Sequence, residues 1–416
     1  MQAPKITDAS ELKLATPEIH HLKSGQRLWV LRDPGLPLVK AQFLFHHGLV
    51  DQYMPMLNSS TWSNAFAGTK RHSTEDMALK LDTMGLMMEE ESEVESSGFT
   101  VNIHNDFFGE FLDLCFEVFD SANFPESELQ RYRERRRQSF LINSQKASIV
   151  ASRSFSKAFY GGQHPLGIQV TPEHFDMLNQ DRLKKHWEEE LTRAPLDVLV
   201  SGNPKEEDLD RISTWMEGRQ VDFQRKPFPE RNPEGSEITQ DWEKAMQSAL
   251  KIGLEMPGAN HPDYVGLKFT VQVLGGYFGS RLMKELREEK GYTYGVHAGL
   301  VSNSKLGVMT IRTEVGKEFR EESLGIIEKE IENLVAHPPL EDEILKVRRY
   351  MQGQILEAAD GVMSQQELWK SAWQLGLPEG HFENFYSKLN SLDTHQVLAL
   401  ANKYLKGRDL TKIIIG

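Results

Sequence analysis

A single cysteine, Cys115, stands in a chain of 416 residues. It can make neither an internal disulfide nor a cysteine-rich zinc knuckle. No apolar run approaches the roughly 18 residues that a membrane span needs. Basic charge is in deficit: 48 Lys+Arg stand against 61 Asp+Glu, a net charge of −13. Such a chain has no broad basic surface for a phosphate backbone, so nucleic acid is not an expected partner. The 14 histidines never stand at i, i+3 or i, i+4 from one another, so neither HExxH nor HxxEH occurs. The G-x-S-x-G elbow and the G-x-x-x-x-G-K-[ST] loop are missing too, and Gly275–Gly279 does not spell G-x-G-x-x-G. Neighbours on a strand point to opposite faces. The adjacent pairs His20/His21 and His46/His47 are therefore read as surface or strand histidines. Cys115, on the apolar side of a helix, reads as a small core residue.

What is present is ordinary in amount and repetitive in order. Hydrophobic residues make up 39% and charged residues 26%, a globular composition with length enough for two domains. Strand-like runs lead to Gly48 and again to Gly258, and apolar runs end in Gly202 and in Gly416. Phe66 and Phe278 open helical stretches, which Gly85 and Gly291 close. These landmarks recur in the same order about 210 residues apart, which points to one fold of about 200 residues used twice. The expected division is residues 1–213, a linker at 214–240 holding Pro227, Pro229, Pro233 and Gly235, and residues 241–416.

Within the first half the order is mixed. The alternation predicts paired strands at 26–32 and 38–45, then a helix at 73–84 with a Ser-Thr-Glu start and Gly85 at its end. Two strands follow, at 87–94 and 98–104, and then long helices at 107–120 and 125–159. Strands in pairs followed by helices in series predict an α+β fold, with each half a largely antiparallel sheet packed by helices on one face. Arg131, Arg133, Arg135, Arg136 and Arg137 read as a solvated helix face or a contact for an acidic partner. Met1–Pro4 is polar and carries no signal-peptide pattern. That terminus fits a bacterial periplasmic protein trimmed of its signal, the slightly favoured compartment, or a cytoplasmic one.

Two segments together resemble one family. Leu274–Gly295 is similar to the LGG-x-x-x-SRL-x-x-x-LRE-x-x-G-x-x-Y segment of short bacterial zinc peptidases. These belong to the insulinase, pitrilysin and mitochondrial processing peptidase family. Phe66–Met77 resembles the F-x-GT segment that follows the family's metal motif. His164–Gly167, Val200–Pro204 and Phe124–Leu129 are weaker landmarks, and the resemblance spans nearly the whole chain. One departure decides the reading. Where active members carry HxxEH, this chain has Ser59, Trp62 and Ser63. Serine and indole are not zinc donors, and indole cannot act as a general base. Glu134 lies near the place of the family's third ligand, and one carboxylate makes no site. The resemblance therefore implies no metal in this chain and no catalytic residue.

The resemblance also carries over Arg287 and Tyr294. In active enzymes the corresponding pair reaches from the second domain to the zinc site, where it binds the substrate backbone and the developing oxyanion. A guanidinium and a phenol suit that role. The expected function is the non-catalytic, substrate-binding subunit of a heterodimeric zinc metallopeptidase. Its partners would be a peptide and a homologous catalytic subunit with HxxEH, and zinc would sit only in that subunit. A stand-alone peptide-binding or scaffold protein is the alternative. A hydrolase with a relocated site and a homodimer without catalytic consequence also stay open.

Overall fold

The apolar runs at residues 28–31 and 39–45 are drawn into a six-stranded sheet, but not as neighbours. Its strands are β1 (Glu18–His21), β2 (Arg27–Arg32), β3 (Leu38–Phe45), β4 (Met87–Ser92), β5 (Ser97–His104) and β6 (Leu196–Gly202). Their order is β1-β2-β6-β3-β5-β4. The expected pairing of the strands at 26–32 and 38–45 is thus corrected: β6 lies between them, parallel to β2 and antiparallel to β3. Every residue of β6 is buried, and a strand covered on both faces takes the centre of a sheet. The computed structural model describes residues 12–378 and 380–416, so the reading of Met1–Pro4 lies outside the described residues.

The second sheet holds β7 (Glu237–Gln240), β8 (Gln247–Pro257), β9 (Val296–Ser302), β10 (Leu306–Gly316) and β11 (Thr411–Ile415), in the order β7-β11-β8-β10-β9. Leave out β1 and the two sheets have one topology. β7 plays the part of β2, β11 of β6, β8 of β3, β10 of β5 and β9 of β4. Each sheet has one parallel pair and is otherwise antiparallel. The connector is shorter than the 214–240 read from composition. Its first residues continue a helix to Gly218, and residues 237–240 form β7, hydrogen-bonded along β11.

The first-half helices are α1 (Leu57–Ala65), α2 (Thr74–Thr83), α3 (Asn105–Ser121), α4 (Glu126–Asn143), α5 (Ala147–Tyr160), α6 (Pro172–Asp176), α7 (Gln180–Glu189) and α8 (Glu206–Gly218). Ser73 caps α2 in a reciprocal box with Asp76, satisfying backbone donors that the first turn leaves open. The single helix expected at 125–159 is two, because the chain turns at Ser144–Lys146. The second-half helices are α9 (Tyr264–Val271), α10 (Arg320–Ala336), α11 (Glu341–Ala358), α12 (Val362–Leu375), α13 (His381–Ser391) and α14 (Thr394–Tyr404). Most helices of each half pack on one face of their own sheet and build two large cores. The other face of each sheet receives one helix from the opposite half. α5 lays Ala151, Phe155 and Phe159 on Ala249, Val308 and Ile413 of the second sheet. α12 lays Trp369 and Trp373 on Leu31, Leu44 and Leu199 of the first. The turn at Ser144–Lys146 is what sends α5 across.

Two glycines serve this arrangement. A Cβ on Gly253 would meet the Phe155 ring at 2.3 Å, so α5 seats only on a bare strand. Gly202 has φ +98°, and its Cβ would lie 2.1 Å from the Leu38 carbonyl oxygen. Gly202→Ala is expected to cost about 1–3 kcal/mol through backbone strain alone. The midpoint of urea unfolding measures it, and an unchanged midpoint would contradict the clash.

Candidate functional site

The place of the missing metal motif is filled by packing. Trp62 on α1 is buried among Phe45 (5.3 Å between ring centroids), Phe99 (5.8 Å) and Trp187 (5.2 Å). Its indole N–H donates to Ser97 Oγ at 3.0 Å, so the one polar atom of that ring is satisfied in the core. Ser59 turns its hydroxyl back to the Met56 carbonyl, and Ser63 is exposed. Glu134 is exposed on α4 and accepts from Gln130. The buried face of α4 instead presents Tyr132, whose hydroxyl meets Ser60 Oγ at 3.2 Å. These side chains offer no donor set for a cation.

Arg287 and Tyr294 lie on the surface of the second half. Arg287 belongs to a π-helical stretch, Met283–Glu289, a form that is rare and concentrated at functional sites. Its guanidinium stacks over Phe278, 4.6 Å from the ring centroid. Tyr294 is 89% exposed in the turn before β9. No hydrogen bond joins the two side chains among the described residues.

Tyr294 borders a cleft of about 550 Å³ between α5 and the strands β8, β9 and β10. The floor of that cleft is unusual in charge. Lys251, Arg312 and His297 face one another across three adjacent strands in register. Lys251 and Arg312, directly opposed, are like charges, an unfavourable pairing on a sheet. Burial and the nearby Arg312 push both Lys251 and His297 below their ordinary pKa ranges. Lys251 Nζ reaches the Ser152 hydroxyl at 3.3 Å and lies over the Phe155 ring, 5.4 Å from its centroid. Among the described residues none of the three makes an ion pair, and Glu314 lines the same cleft. The arginine cluster on α4 differs, since Arg131, Arg133 and Arg137 pair with Glu128, Glu126 and Asp176. Three of its five arginines are thus paired, and Arg136 lies over the Tyr132 ring.

Two histidines depart from the surface-or-strand reading. His46 and His47 do diverge, as strand neighbours must. His46 turns to Asp197 and Trp373, while His47 is fully buried against His186 and Glu190. His186 is also fully buried, with burial holding it below the usual imidazole range. Burial raises Glu190, but the His186 and His47 imidazoles beside it outweigh that and hold the carboxyl at about 2. The signal for this trio was present as His186 and Glu190 at i, i+4, the spacing of one helical turn, with Glu190 capping the end of α7. Cys115 is buried in the core, and burial raises its thiol pKa well above the ordinary range.

Comparisons with known proteins agree with this architecture. Residues 177–351 match the family described as peptidase M16 inactive domain. The matched region contains the whole Leu274–Gly295 segment. The chain is 22% identical over 348 residues to an uncharacterized zinc protease, YmxG, of Bacillus subtilis, covering 81% of this chain and 83% of that protein. It is 20% identical over 363 residues to a non-peptidase homolog, YmxG, of Helicobacter pylori, covering 84% and 82%. The crystal structure of a peptidase M16 inactive domain from Pseudomonas fluorescens superposes with a TM-score of 0.85 at 20% identity, covering 97% of this chain and 98% of that one. Among the described residues no helix is long and apolar enough to cross a membrane.

Proposed function

We propose that the chain, whose residues 177–351 match the peptidase M16 inactive domain and which shares the fold of the superposed M16 structure, is the non-catalytic, substrate-binding subunit of a heterodimeric zinc metallopeptidase. One observation carries the reading. The position of the general base is a core tryptophan, while in the cleft bordered by Tyr294 Lys251, Arg312 and His297 make no ion pair among the described residues. Chemistry is absent where the fold would hold it, and recognition chemistry is retained on the facing half.

The strands β4 and β9 each form one edge of their sheet, with β1 and β7 at the opposite edges. An extended peptide can add to such an edge through its backbone, with little demand on sequence. β9 carries His297 and borders the basic row, which favours a peptide with an acidic side chain or a free carboxylate near that point. Zinc and the general base would come from a homologous partner with HxxEH, and Arg287 and Tyr294 would act on the substrate held at that zinc.

The test is co-purification with a homologous HxxEH-bearing chain encoded beside this one. The expected result is a stable one-to-one complex whose peptidase activity exceeds that of either chain alone. A partner that is fully active alone and never binds this chain would overturn the reading in favour of a stand-alone protein.

A further inference from the structure

We propose that His47, His186 and Glu190 form a binding site for one divalent transition-metal ion, Zn²⁺ by the chemistry of its donors, that ties the end of β3 to the end of α7. One potential ligand atom from each residue lies within 4.8 Å of the other two. His47 Nε2 is 3.1 Å and His186 Nδ1 3.2 Å from the same Glu190 oxygen, Oε2. The three come from two elements that local sequence does not connect. His47 stands just past β3, while His186 lies on the last turn of α7 with Glu190 directly beyond it.

The surroundings fix these side chains. The two imidazole rings meet edge to face, with centroids 5.0 Å apart. Phe223 packs on His47 at 5.0 Å, and Tyr53 approaches His186 at 6.4 Å. A shell of this kind holds ligand rings in place and limits water. Nearby Asp51 is already committed, accepting from the Gly48 N–H at 2.9 Å with Arg225 Nε at 3.7 Å.

Two observations separate the trio from an ordinary ion pair. Among the described residues Glu190 makes no ion pair with lysine or arginine. Of the four ring nitrogens only His47 Nε2 makes a hydrogen bond, to Glu190, while His47 Nδ1 and both nitrogens of His186 are buried without one, so the network does not close on itself. A dication supplies the missing positive charge and takes one lone pair from each ring. Two imidazoles and a carboxylate form a donor set that suits zinc, and three protein ligands leave one position open. The Glu190 side chain is 26% exposed and provides the way in. This donor set shares no residue with Ser59, Trp62 and Ser63, and its test needs no partner subunit, so it stands or falls independently of the heterodimer.

The experiment is metal analysis of the full chain, stripped with a chelator, reloaded with Zn²⁺ and dialysed. About one zinc per chain is expected, with a zinc-dependent rise in Tm. Both effects should be lost in Glu190→Gln and in His186→Gln and kept in Ser59→Ala. No zinc retained by the unmodified chain, or equal zinc in the two variants, would overturn the site. If His186→Gln fails to fold, Co²⁺ loaded into the unmodified chain decides: d–d bands of a four-coordinate ion support the site, and their absence sinks it.

Discussion

Replacing Asp197 by alanine is expected to remove about 3–5 kcal/mol of stability, the usual consequence of taking one partner from a buried charged network. Asp197 lies on the central strand β6 with its side chain 3% exposed. Its Oδ1 accepts the Arg27 backbone N–H at 2.7 Å, and its Oδ2 accepts the Arg27 guanidinium at 2.6 Å. The same Oδ2 receives the Trp373 indole N–H, and His46 approaches it at 3.5 Å. Trp373 belongs to α12, the helix from the opposite half, so the loss falls on the joint between halves as well as on the sheet. Arg27 is one-third exposed and can turn to water, which places the cost toward the lower end. Asp197→Asn keeps an acceptor and should cost less, about 1.5–3 kcal/mol.

The same residue predicts a pH dependence. Burial raises the Asp197 pKa, but hydrogen bonds from His46 and Arg27 outweigh it and hold the carboxyl below 3.8. A carboxyl whose folded pKa is depressed stabilises the fold above its unfolded value, and loses that contribution as pH falls through the folded one. The difference between the unmodified chain and Asp197→Asn should therefore be full at neutral pH and shrink below 3.8. Urea unfolding across the acid range measures it. A difference that stays constant would mean that charge on Asp197 is not what holds the joint.

The second large effect concerns Arg287 and Tyr294. In an assembled, active heterodimer, Arg287→Ala and Tyr294→Phe are each expected to lower kcat/KM roughly 100–1000-fold. That corresponds to the loss of about 2.7–4 kcal/mol of stabilisation directed at a developing oxyanion. Both residues are exposed on the isolated chain, so neither change should disturb folding. Turnover and assembly are to be measured on one sample. Unchanged turnover in an intact complex would remove the role carried over from the resemblance, and loss of the complex would make the residues part of the interface instead.

Local features were legible where local physics decides them. The alternation at 38–45 gave β3 its bounds, and Ser73 with Asp76 marked the start of α2 because capping involves only neighbours. The repeated glycine landmarks anticipated two sheets, and the sheets share one strand order. What stayed hidden depends on partners far along the chain. Nothing near Arg27–Arg32 says that residues 196–202 will insert beside it. The apolar faces of α5 and α12 announce burial without naming the sheet that buries them. Trp62 was recognisable as unfit for catalysis, yet its role as core filler needed Trp187, brought near by α7. The His47, His186 and Glu190 trio escaped because its spacing is local only in part.

The exchange of α5 and α12 also orders events during synthesis. A ribosome delivers the first sheet complete by Gly202, but its cover arrives only with residues 362–375. Until then Leu31, Leu44 and Leu199 face solvent in a nascent chain, the kind of surface that draws chaperones and aggregates. α5 has the opposite history, emerging early with Phe155 and Phe159 unburied and waiting for β8 and β11. The first half therefore cannot finish folding as an independent unit ahead of the second. A chain stalled or cleaved in the connector at 219–236 would leave two fragments, each with one sheet face bare and one helix without a seat.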